Sequence, residues 1–226
     1  MSQLDVDPRS VSTPLPVTAT TWRWAGGLSL AYVVIVFAAF ASEGVAAENG
    51  DSAAEVSHQY ASVAFTRVFL GGYVEAMAFL VLVPALVALA RLFGRRTVTG
   101  GIAAQTFLAL GVAYVASTLA VGFTPMFAAA YGAHHGVDPQ VVSTVNDIRN
   151  YAYLLQVATS LAMTLALGVA ALAERLLVRW VGWGGTAVGA VGLAATPFAH
   201  NATGMVQMVW WVGLAVLCLR GGPKNA

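Results

Sequence analysis

The stretch that decides the fold is GGYVEAMAFLVLVPALVALA, residues 71–90. Glu75 is its only charged side chain, and about 20 mainly apolar residues are enough for an α-helix to cross a bilayer. Runs of this kind recur along the chain, which is 58% hydrophobic and 9% charged, whereas an ordinary soluble domain is about 25% charged. The composition therefore predicts an integral membrane protein made of helices.

Six apolar segments follow one another, and they predict an all-α fold, one integral membrane bundle of six transmembrane helices. This domain covers residues 22–221 and follows a tail, residues 1–21, that is rich in Ser, Thr and Pro and is predicted to be disordered. We expect the first span to remain as an anchor, because its apolar run is longer than that of a signal peptide. The predicted spans are residues 23–42, 67–90, 102–122, 150–173, 180–197 and 203–220.

The basic residues predict the orientation of the bundle. With the N-terminus inside, nine Lys and Arg residues lie on the cytoplasmic side, and Arg67 and Arg149 lie outside. An excess of basic residues marks the cytoplasmic side of membrane proteins. We therefore expect an N-in/C-in, multi-pass protein of the cell (cytoplasmic) membrane, in contact with membrane lipids. The nine residues are Arg9, Arg23, Arg91, Arg95, Arg96, Arg175, Arg179, Arg220 and Lys224.

Small residues in the fifth span predict close helix packing. Gly182, Gly185, Gly189 and Gly192 recur at three- and four-residue steps and so share one helical face. Small residues allow two helix backbones to approach closely in lipid. The face that contains Gly185 and Gly189 is therefore a packing surface, either within the chain or for a second copy in a homo-oligomer.

Glu75 is the candidate functional group that stands out most clearly. It lies seven residues into the second span, roughly 10 Å below the edge of a hydrocarbon core that is about 30 Å thick. An ionised carboxylate at such a depth costs about 2.5–3.5 kcal/mol on insertion scales, so Glu75 is expected to face the bundle interior. Arg149 or His200 is its expected partner. The alternative is a purely structural role, because polar groups also hold membrane helices together.

Polar side chains on other spans are predicted to meet Glu75. A stripe on the fourth span runs through Asn146, Arg149, Tyr153, Gln156, Ser160 and Thr164 at helical spacing. Since the second, fourth and sixth spans all enter from outside, these groups gather in the outer half of the bundle. We predict a polar crevice that is open to the exterior, with Glu75 as its catalytic or protonatable group. The predicted ligand-binding residues are Tyr73, Tyr114, Arg149, Asn150, Tyr153, Gln156, His200 and Gln207.

Several function classes lack their sequence signatures. The chain contains no Walker loop and no GxGxxG, HExxH, CxxC or GxSxG motif, so we predict no cofactor and no ATP-driven pumping. Cys218 is the only cysteine, which excludes an internal disulfide. A net charge of +1, with no basic cluster larger than Arg95–Arg96, argues against a nucleic-acid partner. The four histidines have no diagnostic metal-ligand spacing, and we predict no metal site.

Three segments in about the last two thirds of the chain carry a family resemblance. LLVRWVGWGG, residues 176–185, precedes a Gly- and Ala-rich span and a last span that ends in LCLRGG, residues 217–222. With RVFLGGYVEA, residues 67–76, these features resemble small polytopic membrane proteins of unknown function that are common in actinobacteria. The resemblance implies a compact helical bundle in the cytoplasmic membrane and implies no reaction.

Three functions are compatible with this sequence. The first is a membrane protein that binds a small or lipid-soluble ligand, or a proton, in the crevice during transport or sensing. The second is an integral-membrane enzyme, in which a neutral Glu75 acts as general acid on an isoprenoid substrate in the manner of a terpene cyclase. The third is an accessory subunit whose polar groups only hold helices together.

Overall fold

The computed structural model describes residues 18–44, 47–48, 50–175 and 179–222. The predicted disordered tail, apart from its last four residues, lies outside the described residues, as do Arg9, Lys224 and the start of the LLVRWVGWGG segment. Within the described ranges the fold is all-helical, as predicted, and contains no strand. The elements are α1 (Ala19–Glu43), α2 (Ala53–Ser62), α3 (Phe65–Phe93), α4 (Val98–Ser117), a π-helical turn (Thr118–Phe123), α5 (Thr124–His134), α6 (Pro139–Glu174) and α7 (Arg179–Leu219).

Five helices are long and apolar enough to cross a membrane, so the chain is a multi-pass membrane protein. They are α1, α3, the continuous rod Val98–His134 formed by α4, the π-turn and α5, then α6, and finally α7. The rod has 37 residues, or about 55 Å, which exceeds a hydrocarbon core of about 30 Å. The α5 part of the rod therefore extends beyond the core, where it packs against α2 and the start of α6.

The chain reverses direction within α7. Ala199 has non-helical backbone angles (φ −150°, ψ 43°), two residues after Pro197. The Nε1 of Trp210 donates a hydrogen bond to the carbonyl of Val181 at 3.1 Å, although a straight helix would separate these residues by about 43 Å. Two antiparallel halves therefore result, which we call α7a (residues 179–198) and α7b (residues 200–219).

The bundle has two ends, the α2 end and the Glu174 end. At the α2 end lie the C-terminus of α1, α2, the start of α3, α5, the start of α6 and the bend at Ala199. At the Glu174 end lie the α3–α4 turn, the C-terminus of α6 and both ends of α7.

The glycine stripe packs tightly, as its spacing predicted. A Cβ on Gly189 would lie 2.6 Å from the backbone nitrogen of Leu165, and one on Gly185 would lie 3.1 Å from the Cα of Gly168. These contacts join α7a to α6 within one chain. The face around Gly185 and Gly189, which the sequence offered for a second copy, is therefore already covered by α6.

Two caps position the helices. Asp138 caps α6 by accepting a hydrogen bond from the amide of Gln140 at 2.8 Å, with Pro139 as the first helical residue. At the opposite end the buried carboxylate of Glu174 accepts from the amides of Arg96 and Thr97 at 2.8 and 2.9 Å. Glu174 therefore ties the end of α6 to the start of α4, which the sequence did not indicate.

Candidate functional site

A cavity of about 590 Å³ lies between α1, α3, the π-turn, α6 and α7b, toward the α2 end of the bundle. This size is within the range of small-molecule pockets, about 300–1,000 Å³. Eight of the nine predicted site residues line it. They are Glu75, Tyr114, Arg149, Asn150, Tyr153, Gln156, His200 and Gln207.

Tyr73 is the predicted residue that the structure places elsewhere. Its side chain is exposed on the surface of α3 and does not line the cavity. Tyr73 precedes Glu75 by two positions, and two positions correspond to a rotation of about 200° around a helix. The two side chains therefore lie on different faces of α3. Tyr73 is therefore close to Glu75 in the sequence but does not reach the cavity.

Glu75 is buried in the cavity wall, with 7% of its surface exposed. The buried Gly71, Gly72 and Ala78 share its side of α3. The Glu75 carboxylate interacts electrostatically with the hydroxyls of Tyr114 and Tyr153. The acid thus faces other polar groups rather than lipid.

A pair of tyrosines joins α1 to α4 beside this carboxylate. The hydroxyls of Tyr32 and Tyr114 are hydrogen-bonded at 3.0 Å, and both rings are buried. The Tyr32 hydroxyl also interacts electrostatically with Glu75. Tyr32 could not be identified from the sequence, because a single tyrosine in an apolar span does not show which way it faces.

The π-helical turn shapes one side of the cavity. Thr118, Gly122 and Phe123 of this turn all line the cavity. A π-turn widens a helix locally by one residue and is frequent at functional sites. Nothing in the sequence indicated the turn or the positions of Gly122 and Phe123 in the cavity wall.

Gln156 lines the cavity and has a buried hydrogen-bond donor without a partner in the described part of the chain. Its side chain is 6% exposed, and its Nε2 has no hydrogen-bond partner within the described part of the chain. The amide lies against Gly122, where an added Cβ would be 3.0 Å from Nε2. A buried donor without a partner costs about 1–3 kcal/mol, so this atom points to a ligand or water in the cavity.

Gln207, in contrast, is fully engaged with neighbouring helices. Its Nε2 donates to the carbonyl of Ser160 and to the Oγ1 of Thr164, each at 2.8 Å. Its Oε1 accepts from the Oγ of Ser160 at 2.8 Å. Gln207 therefore holds α7b against α6 at the cavity floor. These hydrogen bonds give Gln207 a structural role.

The cavity is covered at the α2 end by α2 and by the loop before it. Arg149 donates to the hydroxyl of the buried Tyr60 at 3.4 Å, and this hydroxyl donates to the Oδ1 of Asn146 at 2.9 Å. Asn150 donates to the carbonyl of Ala47 at 3.3 Å. Two successive cavity-lining residues of α6 therefore hold the cover in place.

His200, His134 and His135 lie in different surroundings. The half-buried His200 ring packs edge-on against Tyr153, with ring centroids 5.7 Å apart. The Nε2 of His134 lies 2.9 Å from the carbonyl of Val63, and the His135 ring stacks on Tyr131. Across the described ranges, no three His, Cys, Asp or Glu side chains converge on a common point.

These observations define a multi-pass helical membrane protein with a mixed polar and apolar cavity. Comparison with protein-family models, with curated proteins and with solved structures found no match. The fold and the cavity are therefore the basis for any functional argument.

Proposed function

We propose that the chain crosses a cell membrane six times, with both termini in the cytoplasm, and binds a small or lipid-soluble ligand, or a proton at Glu75, in transport or sensing. The bend at Ala199 supports two crossings by α7, since each half is about 30 Å long, enough to span a hydrocarbon core. Seven of the described Lys and Arg residues flank the Glu174 end and two flank the α2 end, which supports a cytoplasmic Glu174 end. The cavity then lies in the outer half.

The observation that carries the binding proposal is the cavity itself. It combines a buried carboxylate, Glu75, with an unused donor, Gln156, in a space large enough for a small molecule. Buried polar groups that serve only packing are normally satisfied by their neighbours, as Gln207 is. Intramembrane carboxylates are usually functional, which favours ligand or proton handling over a purely structural Glu75.

Native mass spectrometry of gently purified protein tests this proposal. We expect a bound species on the wild-type protein that is lost from Glu75→Gln, which keeps the size of the side chain and removes its charge. Glu55→Gln is the matched control, because Glu55 is exposed on α2 and away from the cavity lining. Equal retention by both variants, or no bound species on any protein, would contradict a ligand role for Glu75.

A second candidate function rests on the rings around Glu75. Phe79 lies edge-on to Tyr114 and to Phe123, with ring centroids 5.3 and 5.9 Å apart, and all three rings line the cavity. Aromatic faces stabilise cations, including the carbocations formed when an acid protonates an alkene. In this alternative, Glu75 donates a proton to an isoprenoid alkene, and loss of a proton from the rearranged cation gives an isomer of equal mass. Chromatography of an isoprenoid alcohol incubated with wild-type protein and Glu75→Gln would reveal that isomer.

A further inference from the structure

The exposed members of the cavity lining show where the cavity reaches the surface. Five lining residues are exposed, and all belong to α1, to the loop after it, or to the start of α7b. Phe37 and Phe40 on α1 and Met205 on α7b are 39%, 47% and 53% exposed. The other two are Glu48 and Asn201. The cavity therefore opens sideways, between α1 and α7b.

The same two helices are closed at their opposite ends. A Cβ on Gly26 of α1 would lie 2.6 Å from the carbonyl oxygen of Ala215 and 2.7 Å from the backbone nitrogen of Leu219. Backbone contact this close leaves no space between the helices there. The gap between α1 and α7b is thus a wedge, closed at the Glu174 end and open toward the α2 end.

The opening lies at a depth that lipid chains reach. Phe37 is six residues before the end of α1, and Met205 is six residues after Ala199, so each lies about 9 Å inside its helix end. The edges of the opening at this depth are the apolar side chains Phe37 and Met205, and Phe40 lies three residues nearer the end of α1. Its polar edges, Glu48 and Asn201, lie nearer the helix ends. An opening with apolar edges inside the bilayer is suited to an apolar chain.

The interior suits the head of the same molecule. Gln156 lines the cavity that the opening leads into, and its Nε2 has no hydrogen-bond partner in the described part of the chain, so this side chain has a donor to offer a carbonyl or hydroxyl oxygen. Glu75 and Arg149 line the cavity with opposite charges, so the interior has no large excess of either sign. A neutral, hydrogen-bonding head fits this surrounding better than a charged one.

We propose that the gap between α1 and α7b is a lateral portal through which a neutral single-chain amphiphile enters the cavity from the lipid leaflet at the α2 end. Its carbonyl- or hydroxyl-bearing head hydrogen-bonds to Gln156, and its chain leaves between Phe37 and Met205 into the bilayer. This inference rests on the ligand-binding function proposed above, and it specifies the chemical class of the ligand and its route.

Photolabelling of the full-length protein in phosphatidylcholine vesicles tests the portal. The probe is hexadecanol carrying a photoreactive diazirine beside its hydroxyl, and butanol with the same group is the water-soluble comparison. We expect the hexadecanol probe to label peptides that contain cavity residues such as Gln156. Met205→Trp narrows the opening, since Met205 forms its edge on α7b and is 53% exposed.

The variants separate portal blockage from general damage. Met205→Trp is expected to reduce cavity labelling by hexadecanol by about tenfold, whereas Gly27→Leu leaves it unchanged. Gly27→Leu is the control for added bulk, because a Cβ there meets its nearest neighbour at 4.0 Å and lies on α1 toward the Glu174 end. Equal labelling of the cavity in the Met205→Trp protein overturns the portal, as does labelling confined to lipid-facing surfaces.

The butanol arm distinguishes failure of the portal from failure of the binding function. If butanol labels the cavity and hexadecanol does not, the cavity binds ligands that arrive from water and the portal is overturned. If neither probe labels the cavity, both the portal and the lipid-soluble ligand function are overturned. Competition with unlabelled hexadecylamine and palmitic acid tests the charge of the head, and stronger competition by either than by hexadecanol overturns the neutral class.

Discussion

Gln207 and Ser160 exchange two hydrogen bonds, each 2.8 Å long, between α7b and α6. The Nε2 of Gln207 donates to the carbonyl of Ser160, and the Oγ of Ser160 donates to the Oε1 of Gln207. A third bond, from Gln207 to Thr164, completes the set. This reciprocal pair lies at the floor of the cavity and fixes α7b against α6 below the proposed portal.

Replacing Gln207 by leucine should therefore destabilise the protein by about 2 kcal/mol, since side-chain hydrogen bonds between membrane helices average about 0.6 kcal/mol each. Thermal unfolding in detergent measures the loss. Gln140→Leu is the control, because Gln140 is exposed at the start of α6. An unfolding temperature that matches the wild type in the Gln207→Leu protein would show that these hydrogen bonds add no stability.

Glu174 is expected to be important for stability rather than for binding. Its carboxylate accepts from the amides of Arg96 and Thr97 and from the Thr97 hydroxyl at 3.1 Å, so it satisfies donors at the start of α4 that would otherwise be orphaned. A hydrogen bond to a charged group contributes about 1.5–3 kcal/mol to stability, and Glu174→Leu removes three such bonds. The substitution should therefore lower the free energy of unfolding by about 3 kcal/mol or more.

Unfolding experiments on Glu174→Leu and Glu174→Gln should rank the variants. The amide of glutamine offers one acceptor oxygen instead of two, so its loss of stability should be intermediate. Ligand retention per folded molecule should be unchanged in both, because Glu174 lies at the end of the bundle away from the cavity. Loss of ligand from folded Glu174→Gln protein would indicate coupling between the two ends.

The residues of the cavity could be predicted largely because they are exceptions to their surroundings. Glu75 is the only charge in residues 71–90, and Arg149, Tyr153 and Gln156 belong to a polar stripe at helical spacing along an apolar segment. In lipid such side chains must face inward, so burial and convergence follow from the physics of the bilayer. The cavity lining contains all four.

Other residues that shape the cavity or hold the bundle together could not be predicted, since their residue types are common at such positions. Tyr60 lies on a short polar helix that reads as a loop, yet it is fully buried and holds Asn146. Glu174 ends a span, where charges are common. The π-turn at residues 118–123 depends on how α4 packs against its neighbours, and no sequence signal marks it.

Glycines within α7a should differ sharply in their tolerance of alanine. Gly189→Ala places a methyl group 2.6 Å from backbone atoms of Leu165, which cannot move without shifting α6, so we expect a loss of about 1–3 kcal/mol. Gly184→Ala meets its nearest atom at 3.4 Å, an ordinary contact, and should be close to neutral. Thermal unfolding of the two variants side by side makes the comparison, and equal stability would contradict the close α6–α7a packing.

The six-crossing topology predicts which engineered cysteines react from outside the cell. In a Cys218→Ala background, which removes the buried native thiol, His58→Cys and Asn201→Cys should react with a membrane-impermeant maleimide on intact cells. Thr99→Cys, exposed at the Glu174 end, should react only after the membrane is permeabilised.

Asn201 is the decisive position, because it follows the bend at Ala199. If α7 crossed once as a straight helix, Asn201 would lie at mid-membrane and its cysteine would stay unlabelled in both conditions. Labelling of Thr99→Cys on intact cells, with His58→Cys protected, would instead reverse the orientation and place the cavity on the cytoplasmic side.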